Sequence, residues 1–330
     1  MGTIAEEITR IQTAKSNIKT AIENKGVAVG DITIDGYADK INQIVVGEGG
    51  ETVYVQKFIV PQGFRCQNST MTSIDVGSWD VSNMTSLTNI FYNCDLLTTI
   101  NGIGNWDISN VNSLNSLFYG CDLLTTINGI EDWNVSNVDY PNYLFCGCSS
   151  LTTIDLSNWK FIVKPHLTGM FSGCTSLVSL NLDNWVENGL WATAQIFSGC
   201  QNLTTLSIKN WDLRKVSSVG NEFYGCTSLT TLDMTGCLLY EVSKMSFSSC
   251  TNLENLSFGA DATQNWSFDS NEKLTVDSLM SIINGLYDFV GNGKTPNSST
   301  QGKLTLGSVN LAKLSDEQKA IATNKGWTLS

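Results

Sequence analysis

Residues 171–185 read FSGCTSLVSLNLDNW, and this stretch decides the fold because it returns along the chain in a nearly fixed register. Its cysteine belongs to a series of seven, separated by 27, 27, 26, 26, 26 and 24 residues. Each has a phenylalanine three residues before it and a leucine three residues after it. The series is Cys94, Cys121, Cys148, Cys174, Cys200, Cys226 and Cys250. Such self-similarity predicts a solenoid whose units bury their apolar side against one another.

A tryptophan series runs in parallel, 12 residues before each of six phenylalanines, and Cys237 takes its place in the next unit. The apolar residues after each leucine predict a short strand that pairs in parallel with the next turn, at about 4.8 Å. Two early units hold one extra residue, at Asn101-Gly102 and Asn128-Gly129, which we expect to form a bulge. We expect 3₁₀ or short α turns on the return path. The tryptophans are Trp79, Trp106, Trp133, Trp159, Trp185 and Trp211.

Charge and hydropathy exclude two kinds of partner. The chain of 330 residues has a net charge of −12, and residues 64–258 hold 16 acidic and 7 basic side chains. An acidic body repels phosphates, so nucleic acid is not an expected partner. No run approaches the roughly 20 apolar residues of a membrane span, so membrane insertion is not expected. Residues 1–10 lack the pattern of a secretory signal, which indicates assembly in a cytoplasm or a trimmed sequence.

The chain divides into four predicted segments of an α/β fold. Residues 1–46 are expected to form a helical attachment or oligomerisation module, and residues 47–63 a hinge and the strand that leads into the repeats. Residues 64–258 form the leucine-rich-repeat-type solenoid, with turns of about 26 residues. Residues 259–330 form a small α/β cap.

The two end segments carry their own helix signals. Isoleucines at helical spacing over residues 4–22 make a stripe in a module too small to be stable alone. We expect it to pack on another copy, with a trimer favoured, or on another protein; packing on its own solenoid is the alternative. In the cap, we predict a helix over 275–286, a strand over 303–306 and a helix that opens with a capping box at 315–318.

The repeat C-x-x-L-x-x-[IL]-[DN]-[LI]-S-x-W-[DN]-[VI]-S-N-V resembles the BspA-like leucine-rich repeat of bacterial surface proteins, over roughly residues 64–258. It is clearest at 79–83, 106–110 and 133–137 and weakens after Trp159. The resemblance implies a fold and a binding or adhesive role, without chemistry. Residues 9–44 resemble an N-terminal module of phage structural and fibre proteins. Residues 304–330 resemble a tail of such repeat proteins in phages and gut bacteria.

These resemblances lead to competing functions. We predict a non-enzymatic phage virion protein, a head or tail fibre or decoration. Its N-terminal helices would bind other virion proteins and its solenoid a host cell-surface protein or glycan. The alternative is a BspA-like adhesin of the bacterial cell surface. A glycan-cleaving enzyme is disfavoured, because a regular solenoid offers no insertion that would build a cleft with paired carboxylates.

Candidate binding residues follow from the alternation of a strand. If the central apolar residue of each strand points inward, its neighbours point outward. Such a polar face can bind a glycan or a protein, or it can be a solvated face stabilised by cross-strand threonine pairs. The candidates are Thr99, Thr126, Thr153, Asp155, Thr205 and Thr231.

No residue pattern indicates a cofactor, a metal or a catalytic site. The sequence has no C-x-x-C pair and no zinc spacing. We expect the seven periodic cysteines to be buried fillers of a core ladder, since free cysteine is among the most buried residue types. Cys66, Cys146 and Cys237 lie outside that ladder, and the sequence does not predict their redox state. His166 is the only histidine and is expected to be structural.

Overall fold

The computed structural model describes residues 58–66, 70–214, 216–242, 245–297 and 299–330. The predicted helical module at 1–46 lies outside the described residues, as does the predicted hinge up to residue 57. The described chain winds into stacked coils, each the length of one sequence repeat. None of its helices has the length and apolar character that a bilayer crossing requires.

Short strands of neighbouring coils pair in parallel, as the repeat predicts, although the coils around residues 126 and 153 form no assigned strand. β1 pairs with β3, β2 with β4, and β5, β6, β7 and β8 form one sheet in that order. The register places the central apolar residue of one strand beside its copy, for example Leu180 beside Leu206. The strands are β1 (Phe58–Ile59), β2 (Ser73–Asp75), β3 (Trp79–Asp80), β4 (Thr99–Asn101), β5 (Ser179–Asn181), β6 (Thr205–Ser207), β7 (Thr231–Asp233) and β8 (Asn255–Ser257).

The extra residue of two early coils is absorbed differently from the bulge that the sequence predicts. Gly102 and Gly129 adopt φ of 76° and 95°, and each begins a 3₁₀ helix, at Ile103–Asn105 and Ile130–Asp132. A Cβ on Gly102 would lie 2.4 Å from the Cα of Gly77 in the preceding coil, so only glycine fits here. The prediction of a bulge is therefore wrong.

The return path also differs from its prediction. In the described residues it consists of hydrogen-bonded turns and isolated parallel bridges, such as those that join Ser86 to Ser113 and Ser113 to Tyr140. No 3₁₀ or α helix of the described solenoid lies on this path. Backbone groups of the return path form hydrogen bonds with the next coil, for example Phe91 N with Leu117 O at 3.0 Å. Fewer backbone donors and acceptors are therefore left for the bonds of a local helix.

Aromatic stacks and directed bonds hold successive coils together. The phenylalanines lie ring on ring, with 5.7 Å and 4° between Phe91 and Phe118. Cys121 Sγ donates to the carbonyl oxygen of Phe91, one coil earlier, at 3.2 Å. Trp106 Nε1 likewise donates to Val76 O at 3.2 Å. The seven periodic cysteines are buried and form no disulfide, so the expected core ladder is confirmed as a packing arrangement.

A small α/β cap covers the C-terminal end of the stack. It contains α1 (Val276–Gly285), α2 (Gly307–Ala312), α3 (Asp316–Asn324) and a parallel sheet of β9 (Trp266–Ser267), β10 (Lys303–Thr305) and β11 (Thr328–Leu329), in the order β11-β10-β9. The predicted helix at 275–286 is confirmed as α1, and the predicted strand at 303–306 as β10. The capping box of α3 is also confirmed, because Ser315 Oγ accepts from Gln318 N and Gln318 Oε1 accepts from Ser315 N.

Two serines of α1 form hydrogen bonds with backbone groups at the last strand of the main sheet. Ser278 Oγ accepts from Leu256 N and donates to Glu254 O, both at 2.8 Å. Ser281 Oγ accepts from Phe258 N at 2.8 Å. An open strand edge would otherwise be a template for pairing with another chain. The helix therefore closes the sheet with side-chain oxygens instead of another strand.

Candidate binding surface

The strand face carries the predicted outward rows. In β4 and β6 the central residue is buried, whereas Thr99 and Thr205 beside it are exposed. Thr126, Thr153 and Asp155 are exposed in the two intervening coils, which keep the alternation without forming assigned strands. Thr231 in β7 is half-buried. All six candidate residues therefore lie on the side of the coil away from the core.

An open groove of about 680 Å³ runs along this face. Five of the six candidates line it, namely Thr126, Thr153, Asp155, Thr205 and Thr231. Thr99 does not, because the groove begins one coil further along. The groove crosses five successive coils from residue 126 to residue 233, so its length comes from the repeat itself.

The groove is acidic and contains one cation, a feature that the sequence analysis missed. Glu131, Asp155, Asp183 and Asp233 line it together with Lys209. Lys209 Nζ lies 3.0 Å from Asp233 Oδ2 and 3.8 Å from Asp183 Oδ2, so it links two coils. The predicted outward rows do not contain Glu131, Asp183 and Lys209, because these residues come after the strand position of their coils.

Local hydrogen bonds keep these groups charged. Backbone and hydroxyl bonds from Ser157 hold the pKa of Asp155 below its usual value. Burial opposes the charge of Asp233, but bonds from Thr235 and Lys209 outweigh it, so its pKa is also lowered. The bond to Asp233 and the charges of Asp233 and Asp183 raise the pKa of Lys209. The groove therefore offers fixed carboxylates, hydroxyls and one ammonium group, which suit hydrogen bonding and the recognition of cationic groups.

The cysteines outside the ladder differ in exposure. Cys66 and Cys237 are buried, whereas Cys146 is half-buried. Burial raises the pKa of Cys237 to about 12, although bonds from Trp211 and Asn210 oppose it. None of the ten cysteines forms a disulfide, and in the described part of the chain no group of three or more acidic, histidine or cysteine side chains is arranged to hold a metal.

Glu222 is a buried carboxyl that sequence reasoning also missed. It stands immediately before a core phenylalanine, where the preceding coil has Ile196, and it is 1% exposed. Its Oε1 accepts from Gly220 N at 2.7 Å and Thr193 Oγ1 at 3.1 Å, while Oε2 has no hydrogen-bond partner among the described residues. Burial raises its pKa, and the bonds to it oppose that shift. Comparison of its position with the apolar residues of earlier coils is the signal that would have found it.

Two repeat families match parts of the solenoid. Residues 62–185 match a family described as Mycoplasma protein of unknown function, DUF285. Residues 170–285 match the BspA type leucine rich repeat region in six copies. Neither match includes the segments at 9–44 and 304–330 that resemble phage modules, so those resemblances stay predictions. No curated protein matches the sequence.

Solved structures also match this chain, 34 chains of them. One is the crystal structure of a leucine-rich repeat protein from Bacteroides ovatus, with 16% identity and a TM-score of 0.26. That match covers 78% of this chain and 65% of the Bacteroides chain. From the family match and the stacked parallel strands together, we conclude that the chain carries BspA-type leucine-rich repeats over residues 170–285.

Proposed function

We propose that this chain is a non-enzymatic adhesion protein of a bacterial cell surface, which binds a protein ligand along the strand-face groove. The observation that carries the proposal is the continuity of the groove over five coils. An extended polar surface of this kind is what solenoid proteins use to bind macromolecules. The BspA-type repeats of residues 170–285 support the assignment to surface proteins over the virion.

Charge complementarity indicates the kind of ligand. Four carboxylates and one ammonium group line the groove, and the ammonium group of Lys209 is already paired with Asp233 and Asp183. Such a surface attracts segments rich in lysine and arginine and repels anionic glycans. We therefore favour a basic, extended protein segment as the ligand.

An adhesion assay tests the binding role. Beads are coated with the full chain, and the attachment of epithelial cells is counted. Thr153→Arg and Thr205→Arg place a bulky cation in the groove, and we expect each to reduce attachment several-fold. Thr152→Arg is the matched control, because Thr152 is exposed but does not line the groove. The proposal fails if the wild-type beads do not hold cells or if the three variants behave alike.

Localisation is a separate test. An antibody against the full chain is applied to intact cells of the producing organism and to phage particles purified from its culture. Labelling of the cell exterior supports the adhesin. Recovery of the protein with the particles would overturn the surface assignment and favour the virion hypothesis.

A further inference from the structure

Lys209 stands in the strand-face groove at a position that recurs from coil to coil. This position is the second residue after the strand position of each coil, and in five successive coils it holds Ser157, Asp183, Lys209, Thr235 and Gly259. Lys209 Nζ lies 3.0 Å from Asp233 Oδ2 and 3.8 Å from Asp183 Oδ2. One ammonium group is therefore shared by a carboxylate of the preceding coil and a carboxylate of the following coil.

The two carboxylates are held in place by donors other than this ammonium group. Asp183 Oδ1 accepts from Lys209 N at 2.9 Å and from Ser207 Oγ. Asp233 Oδ1 accepts from Thr235 N at 3.0 Å and from Thr235 Oγ1 at 2.6 Å. Main-chain and hydroxyl donors thus fix one oxygen of each carboxylate, and the other oxygen, Oδ2, faces Lys209 Nζ. We call the two Oδ2 atoms the cation seat, and these bonds preserve it when the Lys209 side chain moves away.

The remaining carboxylates of the groove have no such cation. Glu131 and Asp155 line the groove in the two coils before Asp183. A main-chain amide group fixes one oxygen of each. In the described ranges, neither of them lies within ion-pair distance of a lysine or arginine. The groove therefore has an open half, with Glu131 and Asp155, and an occupied half, with Asp183 and Asp233.

We propose that Lys209 is an internal competitor that closes the occupied half of the groove, and that a basic ligand completes its binding by displacing it from the cation seat. This inference rests on the basic ligand proposed above for the groove. A lysine or arginine of the ligand takes the place of Lys209 Nζ between Asp183 and Asp233. A single cation gains little by this exchange. A segment already bound at Glu131 and Asp155 presents its next cation at a high effective concentration, so the closure selects ligands with several basic residues.

The ion pairs of Lys209 can be exchanged because they are exposed. The side chain of Lys209 is 40% exposed, and ion pairs at the surface contribute little to stability. The bond to Asp233 and the charges of Asp233 and Asp183 raise the pKa of Lys209. Burial disfavours the charged form of Asp233, but bonds from Thr235 and Lys209 outweigh it and lower the pKa of Asp233. The pair of Lys209 and Asp233 stays charged near neutral pH, so a competing cation is the trigger and a change of pH is not.

Binding of a fluorescein-labelled octalysine peptide to the full chain tests the closure, by fluorescence anisotropy at low ionic strength. We expect Lys209→Met to bind the peptide about threefold more tightly than the wild type, a factor typical of one surface ion pair. Lys209→Arg keeps the cation and should bind like the wild type. Lys160→Met is the control for net charge, because Lys160 is exposed and does not line the groove. Circular dichroism checks the fold of each variant, and Lys209→Gln provides the same test if the methionine variant does not fold.

A double-mutant cycle separates displacement from the general effect of charge. Asp233→Asn removes the negative charge and keeps an oxygen that can accept from Thr235. If Lys209 occupies the cation seat, Asp233→Asn should change the affinity little in the wild type and lower it about threefold in Lys209→Met. Asp155→Asn, in the open half, should lower the affinity equally in both backgrounds.

The proposal is overturned if Lys209→Met binds no tighter than the wild type, or if Lys160→Met tightens binding equally. It is also overturned if Asp233→Asn has the same effect in both backgrounds. Any of these results, with a wild type that binds octalysine, contradicts the closure and leaves the basic ligand. If neither the wild type nor Lys209→Met binds the peptide, the basic ligand and the closure are both wrong. Binding by Lys209→Met alone supports the closure.

Discussion

Cys237 Sγ donates to the carbonyl oxygen of Ile208 at 3.0 Å, and in doing so it takes over the bond that an indole makes in the preceding coil. There, Trp211 Nε1 donates to Leu182 O at 2.7 Å. The two residues are 26 positions apart and reach equivalent carbonyls one coil earlier. What these two coils share at this position is thus a buried donor, and the aromatic ring is only one way to supply it.

The indole bond gives the first prediction. Trp185→Phe removes the donor that Leu156 O accepts at 3.1 Å and keeps most of the ring. An unpaired buried carbonyl costs about 1–3 kcal/mol, so the free energy of unfolding should fall by at least that range. Urea denaturation followed by circular dichroism measures it. Trp191→Phe, the same change at an exposed indole, should cost much less; equal losses would show that ring size alone matters.

Thiol reactivity gives the second prediction. Burial raises the pKa of Cys226 and of Cys237 to about 12, so neither carries appreciable thiolate at pH 8. Burial also raises the pKa of Cys146, but this thiol is half-buried and reachable. In the folded protein, iodoacetamide should modify Cys146 first, faster as the pH rises, and the ladder only after urea is added. Peptide mass mapping identifies the sites. Early modification of Cys237 would contradict this order.

Glu222 gives a prediction about pH. Its pKa is raised in the folded state, so the unfolded chain loses this proton first as the pH rises. The stability contributed by the protonated form is therefore complete below the usual glutamate pKa of 4.5 and is lost as the pH rises through the folded value.

Glu222→Gln should remove the loss of stability that the wild type shows as the pH rises. We expect the variant to be more stable than the wild type at pH 8, and the difference to shrink towards pH 4. Urea unfolding at several pH values measures it. Glu254→Gln serves as the control, because Glu254 is exposed. An unchanged pH profile in Glu222→Gln would contradict the assignment.

The serine closure of the sheet gives a fourth prediction. Ser278→Ala removes the hydroxyl that accepts from Leu256 N and donates to the backbone carbonyl oxygen of Glu254. Ser278 is only 3% exposed, so water cannot easily replace this hydroxyl. We expect a loss of about 1–3 kcal/mol in unfolding free energy. We also expect faster aggregation near the unfolding transition, because a strand edge becomes available. Thermal scans with light scattering test both, with the exposed Ser270→Ala as control; similar behaviour of the two variants would count against the closure.

The sequence predicts the parts of the fold that repeat. Phe118 and Cys121 recur with their copies, so stacking and parallel strands follow from the period alone. The capping box at Ser315 is likewise local and was predictable. The outward candidates Thr126 and Thr153 were placed correctly on the strand face, because alternation fixes their side. Their role as binding residues remains a prediction.

What the sequence does not predict depends on contacts between coils whose loops differ. Lys209 reaches Asp183 and Asp233 because Asp183 and Lys209 follow β5 and β6 at equivalent positions and Asp233 ends the next strand, β7, a relationship that no single repeat displays. The ring of Trp191 stacks on that of His166, which stacks on that of Tyr140. The residue of this coil that is bridged to His166 is, however, Ala192, one position after Trp191. Such juxtapositions require the actual path of each return segment.

The bonds from cysteine and indole donors end on main-chain carbonyl oxygens, such as those of Phe91 and Val76. A main-chain acceptor makes no demand on the side chain of the residue that carries it. Unequal genetic exchange between repeats can therefore add or delete whole coils, and each new junction finds its acceptor already in place. With α1 closing the sheet through its own serines, a lineage can vary the reach of the molecule while its C-terminal closure stays unchanged.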